Sequence, residues 1–180
     1  MKNINLSTLL HHGVSYYSGE VSQDFIAFML KVYDRAQNSE NQQAVIILNS
    51  HGGHSETSMQ AQAILKVLQK KIPTYVIVSG LCASAAFDFF LEADNRGMMP
   101  ESLLMAHKSR LLGCDNLALE IVKSDATQTM GKDNLWYKNF IKKFKINAAQ
   151  KKIYENNGDL YFNEKEAEKA GLINLKIVKK

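Results

Sequence analysis

A chain of 180 residues, 46% of them hydrophobic, can bury one domain well and two only poorly, so residues 1–180 are read as a single domain. The net charge of +4 is mild, and its lysines gather in Lys142-Lys143-Phe144-Lys145, Lys151-Lys152 and Lys179-Lys180 as solvated faces; no basic stripe or known module indicates a nucleic-acid partner. No apolar run approaches a membrane span, no signal-like apolar stretch follows Met1, and Cys82 and Cys114 are too few for a disulfide framework, so the expectation is a cytoplasmic protein with no membrane association.

In chain order, residues 1–12 form a short N-terminal segment with a turn of helix around Ser7–Leu10, and His11-His12 reads as surface. Val14, Tyr16 and Tyr17 predict a strand that ends at Gly19. Ser22 then caps a helix to about Gln37, with Phe25, Ile26, Phe28, Met29, Val32 and Tyr33 expected as one broad buried face. Ala44–Leu48 predicts a strand covered on both faces. Asn49–Gly53 turns into a helix capped by Ser55, with Met59, Ala63, Ile64, Val67 and Leu68 expected inward. Tyr75–Val78 predicts a buried strand, broken by Ser79-Gly80, and a helix opens at Ser84. Asp94–Pro100 is expected to be a loop, and Ser102–Ala106 a further strand. Strands alternating with helices over short connections indicate a parallel sheet. Residues 115–157 read as helical, in segments 115–130 and 134–144 and one beginning near Ala148. The stripe Leu135, Trp136, Phe140, Ile141 and Phe144 fits core or subunit contact. Short pieces follow: a strand at 160–162, a helical turn at 164–169 and a last strand at 173–178.

Three predicted strands thus end in Ser50-His51-Gly52-Gly53, in the turn to Ser84 and in His107, and the C-terminal edge of a parallel sheet is where sites are built. A serine at a helix N-terminus sits among free N–H groups and the positive end of the helix dipole. That is equally the place of a small N-cap residue, and strand-end histidines commonly have no catalytic role, so the residues alone leave both readings open. His51 and His54 lack an acidic or cysteine partner at ligand spacing, so no metal is expected. Gly52-Gly53 is not followed by a phosphate-loop pattern, so no nucleotide cofactor is expected.

Gly19-Glu20-Val21 before a helix, Ile47-Leu-Asn-Ser-His-Gly-Gly53, Gly80-Leu-Cys-Ala-Ser-Ala85, Leu104-Met-Ala-His107 and the closing Gly158-Asp159…Gly171-Leu-Ile173 resemble, in order, the motifs of the Clp protease proteolytic subunit (ClpP) family. The resemblance covers roughly residues 13–178. It implies an α/β ClpP/crotonase-like spiral of β-β-α units with a mostly parallel sheet, and a protruding helical segment, 115–157, used for oligomerisation. It also implies a serine endopeptidase in a self-compartmentalised homo-oligomeric ring, hexameric or heptameric, acting on peptides or unfolded proteins without a cofactor. By resemblance Ser84 is the nucleophile, His107 the general base and Asp159 its orienting carboxylate. Gly53 and Ala85 supply the oxyanion N–H groups, and Gly52 and His51 line the substrate.

The departures are local. The family has proline where His51 stands, commonly methionine at Ala85, and Gln-Pro at Lys108-Ser109. The Gly-rich strand that follows the histidine is not visible in Arg110–Asp115, and the arginine before the acidic triad member is Gly158. Both bear on ring-to-ring docking, so a single ring fits as well as a double one. The segment that forms axial loops for an AAA+ unfoldase is nearly absent, which leaves that partner open and a phage-type maturation protease conceivable. Lys108 offers itself as base in a Ser–Lys dyad, but neighbouring strand residues face opposite ways, which favours His107. A catalytically silent ring scaffold or regulator and a crotonase-like acyl-CoA enzyme are the alternatives.

Overall fold

A computed structural model describes residues 1–10, 13–37, 43–110 and 119–178. His11-His12, Cys114 and Lys179-Lys180 lie outside the described residues. The chain divides into two compact units, residues 1–106 with 161–180, and residues 107–160.

The first unit carries strands β1 (Lys2–Asn5), β2 (Val14–Ser18), β3 (Ala44–Ser50), β4 (Thr74–Ala83), β5 (Asn95–Met98) and β6 (Leu103–Ala106). It also carries helices α1 (Leu6–Leu10), α2 (Gln23–Gln37), α3 (Ser55–Gln69) and α4 (Ala85–Leu91). A sheet runs β2-β3-β4-β6 and on to β7 (Leu160–Phe162), with β5 beside β4. Its registered pairs are parallel: Tyr16 lies opposite Ile47, and Ile47 opposite Ile77. Val45, Ile46, Leu48, Val76, Ile77 and Val78 are buried, as a doubly covered parallel sheet requires. Phe25 of α2 meets Phe89 of α4 edge-to-face, ring centres 4.9 Å apart, which joins two helices through aromatic packing.

Several expectations need correction. The segment before residue 13 contains a strand: β1 pairs in parallel with β8 (Leu175–Val178) as a separate two-stranded sheet. Ile4 and Leu9 pack there with Val45, Ile77, Leu175 and Ile177. Ser79-Gly80 does not end the strand but bends it. The Asn49 side chain accepts the Leu81 N–H at 3.0 Å, and Ser102 Oγ accepts the Gly80 N–H at 3.0 Å, so the backbone polar groups at the bend are satisfied from outside the ladder. Before the bend β4 pairs with β5, and after it with β6. The stretch Asp94–Pro100 therefore contains a strand, hidden in the sequence because Asn-Arg-Gly-Met is poor in β-formers. In α3 the N-cap is His54 rather than Ser55, and the buried residues are Thr57, Ser58, Ala61, Leu65 and Leu68. Of the expected inward face only Leu68 is buried, while Met59 and Val67 are exposed.

After β7 the unit closes with α7 (Glu164–Ala170) and β8. Asn163 and Glu166 form a reciprocal capping box at the start of α7, and Gly171 ends it in the left-handed conformation at φ 78°. Asn174 binds β8 to β5: its side-chain oxygen accepts the Arg96 N–H at 2.8 Å, and its own N–H donates to the Arg96 carbonyl at 3.0 Å. The Arg96 guanidinium donates to the carbonyls of Leu172 and Ala93. Burial pulls its pKa down, against the opposing pull of Asp94 and Glu92.

The second unit is built on α5 (Leu119–Lys143) and α6 (Ala148–Glu155). The two helices expected at 115–130 and 134–144 are one, because Gly131 lowers helix propensity without breaking the hydrogen-bond ladder. Asn147 and Gln150 form the capping box of α6. Trp136 stacks on Phe140 at 4.8 Å, and Tyr137 on Tyr154 at 4.5 Å, with Phe140 and Tyr154 buried. Phe140, read above as core or subunit contact, is buried within its own chain, whereas Leu135 of the same stripe and Met130 of the same helix are exposed.

Candidate active site

In the first unit β3 and β4 carry two of the singled-out loops to one place. After Ala83, Ser84 adopts φ 54° and ψ −127°, a region that side chains rarely enter, and α4 begins at the next residue. Such a conformation costs on the order of 1–3 kcal/mol and persists only where its surroundings hold it. Here the Ser84 N–H donates to the Met105 carbonyl of β6 at 2.9 Å, and the Ser84 carbonyl accepts the Asp88 N–H at 3.1 Å. The Ser84 hydroxyl caps nothing, although its residue occupies the N-cap position. This removes the plain capping role that the sequence left open. Ser84 is partly exposed, whereas Cys82, Ala83, Ala85 and Ala86 around it are buried.

Gly52 lies against this serine. A Cβ on Gly52 would stand 2.6 Å from Ser84 Cβ, 2.8 Å from the Ala83 carbonyl oxygen and 3.2 Å from Ser84 Oγ, and its φ of 105° is in glycine territory. Only a bare backbone fits there. Gly53 bridges to Val21: the Val21 N–H donates to the Gly52 carbonyl at 2.7 Å, and the His54 N–H donates to the Val21 carbonyl at 3.0 Å. In a trans peptide the C=O and N–H point in opposite directions, so the Gly53 N–H is directed away from Val21. The Ala85 N–H belongs to the first turn of α4, where intrahelical acceptors are lacking. Ser58 Oγ of α3 donates to the Ala85 carbonyl at 2.6 Å and fixes that turn from behind. Sequence reasoning missed Ser58, since a mid-helix serine ordinarily faces water. His51 is exposed in the same loop.

Cys82, two residues before Ser84, is fully buried, and burial, with Asp88 nearby, pushes its thiol well above the usual range. It is a packing residue rather than a nucleophile.

His107 and Asp159 belong to the second unit. Nδ1 of His107 contacts the Lys108 carbonyl, and because a carbonyl only accepts, that nitrogen is the donor. Asp159 does not bond to His107. Its Oδ1 takes a 2.7 Å ion pair from Arg110 Nη2, a partner the sequence gave no reason to select. Lys108 Nζ donates to the Glu155 carbonyl at 3.1 Å and to Asn157 Oδ1 at 2.8 Å, at the C-terminal end of α6 where a cation is favoured. The alternative base is thus already occupied. Gly158 also has a local reason: a Cβ there would meet the Ile153 carbonyl oxygen at 2.9 Å. Among the described residues no three His, Cys, Asp or Glu side chains converge as a metal site, and no helix is long and apolar enough to cross a membrane.

No curated protein matches the chain. Among solved structures, a point mutant of ClpP1 from Listeria monocytogenes superposes with a TM-score of 0.69 at 19% sequence identity, over 97% of this chain and 95% of the other. The fold is therefore ClpP-like, mixed α/β with a mostly parallel sheet. The family model described as Clp protease matches residues 5–180. With a match over nearly its whole length, this chain belongs to the Clp protease family.

Proposed function

We propose that this protein is a serine endopeptidase that hydrolyses peptide bonds through an acyl-enzyme on Ser84. Family membership supports a peptidase in general. The observation that carries the finer reading is Ser84 itself: a non-glycine residue at φ 54°, its hydroxyl uncommitted, with Gly52 packed against it.

In this mechanism Ser84 Oγ attacks the substrate carbonyl while His107 Nε2 takes the hydroxyl proton. Asp159 stabilises the imidazolium through Nδ1–H. The carbonyl electrons move onto oxygen, and the Gly53 and Ala85 N–H groups receive the oxyanion. Removing one such donor typically costs about 100- to 1000-fold. His107 returns the proton to the leaving amine, and water then repeats the sequence on the acyl-enzyme to release the acid. Gly52 and His51 flank the acyl chain. No cofactor takes part. The substrates are peptides or unfolded proteins, in a cytoplasmic, single-domain protein whose 115–157 segment contributes to a homo-oligomeric ring, hexameric or heptameric, as a single ring or a pair. An AAA+ unfoldase is a further possible partner.

A fluorophosphonate or β-lactone probe tests the chemistry. It is expected to label Ser84 covalently and to leave Ser84→Ala unlabelled, with ring size read in parallel by mass photometry. Intact, assembled protein that neither takes the label nor cleaves peptides would sink the peptidase reading. It would favour a catalytically silent ring scaffold, to which the Arg110–Asp159 pair gives specific support.

A further inference from the structure

Residues 107–110 open the second unit as a strap, and three of the four, Lys108, Ser109 and Arg110, bond to more distant parts of that unit. His107 Nδ1 meets the Lys108 carbonyl. Lys108 Nζ reaches the Glu155 carbonyl and Asn157 Oδ1. Ser109 donates from its N–H and its hydroxyl to the two carboxylate oxygens of Asp133 on α5, at 2.9 and 2.7 Å. Arg110 holds Asp159 at 2.7 Å. The strap supplies competing partners to both groups that a triad would couple: the imidazole N–H is on a carbonyl, and the carboxylate is on a guanidinium.

We propose that Arg110 is a restraining residue, which withholds Asp159 from His107 and keeps the candidate triad uncoupled until that ion pair opens. The inference rests on the peptidase reading of Ser84, His107 and Asp159. The physical basis is competition for the position of one carboxylate. Asp159 has acceptor capacity for more than one donor, but the charge-assisted bond of 2.7 Å holds it on Arg110, and in that arrangement it makes no bond to His107. Until that pair opens, the imidazolium formed on proton transfer lacks its counter-charge, and its Nδ1–H is met only by the Lys108 carbonyl. The restraint is weak by construction. The Arg110 side chain is 63% exposed and that of Asp159 33%, and water and salt screen such a pair. It therefore biases a population rather than locking it, and a substrate or a second subunit that favours the coupled state can open it.

The test uses the full-length assembled protein and the rate of Ser84 labelling by a fluorophosphonate. Arg110→Gln is expected to label about two- to five-fold faster than wild type, the range open to an exposed ion pair. Arg110→Lys, which keeps a cation for Asp159, stays near wild type. Asp159→Asn is slowed on the order of 1000-fold or more, because an amide cannot balance the imidazolium. The wild-type rate rises from low to high ionic strength, and that dependence is lost in Arg110→Gln. A purely structural role for Arg110 would not produce this change. The nitrogen-15 and Nδ1–H proton resonances of His107 move downfield in Arg110→Gln as a carboxylate replaces the carbonyl. If Arg110→Gln keeps its circular dichroism and ring size but labels no faster, the inference is overturned while the peptidase reading stands. If Asp159→Asn labels as fast as wild type, the Lys108 carbonyl orients the base and the inference is again overturned. If neither wild type nor Arg110→Gln is labelled at all, the peptidase reading fails and takes the inference with it.

Discussion

Ser84 illustrates how far a local pattern reaches. Its position after an apolar run and before small helix-forming residues is readable from the chain, and so is a neighbouring glycine pair. Its φ of 54° is not readable, because that angle is imposed by β6 holding its N–H and by Gly52 filling the space beside it. Gly52→Ala should therefore be severe. The added methyl would lie 2.6 Å from Ser84 Cβ at a backbone angle alanine resists. We expect a loss of roughly 2–4 kcal/mol in urea unfolding together with loss of Ser84 labelling. Retention of both would show that the loop can move aside. Cys82 gives a quieter check. Burial raises its thiol, so the reactive thiolate is scarce at pH 8, and iodoacetamide should modify Cys82 only after the protein is unfolded, as read by peptide mass spectrometry.

Helix α3 shows why an apolar stripe can mislead. Counting hydrophobic residues selects Met59, Ala63 and Val67, yet the face that turns inward begins with Thr57 and Ser58. Ser58 is buried at little cost because the Ala85 carbonyl of α4 accepts its hydroxyl at 2.6 Å. That acceptor lies 27 residues downstream and is invisible to any window on α3. The consequence is an inverted ranking: Ser58→Ala should cost about 1–3 kcal/mol, whereas Met59→Ala should stay within roughly 0.5 kcal/mol of wild type. Thermal or denaturant unfolding of the pair decides it. In α5, by contrast, the sequence reading divided between 130 and 134 what folds as one helix through Gly131. Among the described residues nothing lies within 4 Å of a Cβ built on Gly131, so Gly131→Ala should raise stability by about 0.5–1 kcal/mol. A fall instead would mean that the helix does not run through that point.

Across the first unit, the ends of the chain are held by contacts far apart in sequence. β1 pairs with β8, and β8 is held to β5 by Asn174 and Arg96, which stand 78 positions apart in the chain. Asn174→Ala removes the acceptor of the Arg96 N–H and the donor to the Asp94 carbonyl. We expect about 1–3 kcal/mol of destabilisation and faster amide exchange in β5 and β8 than in β3. Equal protection in all three strands would contradict this. The bend in β4 works over a similar range, since Asn49 near the end of β3 and Ser102 just before β6 meet at Gly80-Leu81. It lets one strand serve β5 with its first half and β6 with its second, and so carries Ala83 and Ser84 to the edge where Met105 holds them.

What the amino-acid order determines here is what short-range physics writes plainly. Examples are the strands rich in β-branched residues at 44–48 and 75–78, the helices with a clear capping residue such as Ser22, and the serine and glycine pair that the family resemblance named. Tertiary structure decided the rest. The strand Asn95–Met98 exists because β4 offers it a ladder, and the polar face of α3 is buried because α4 offers it an acceptor. Asp159 resembled a triad member by its motif, yet in the folded unit it pairs with Arg110. A carboxylate's partner depends on which charge lies 3 Å away, and no spacing along a chain specifies that.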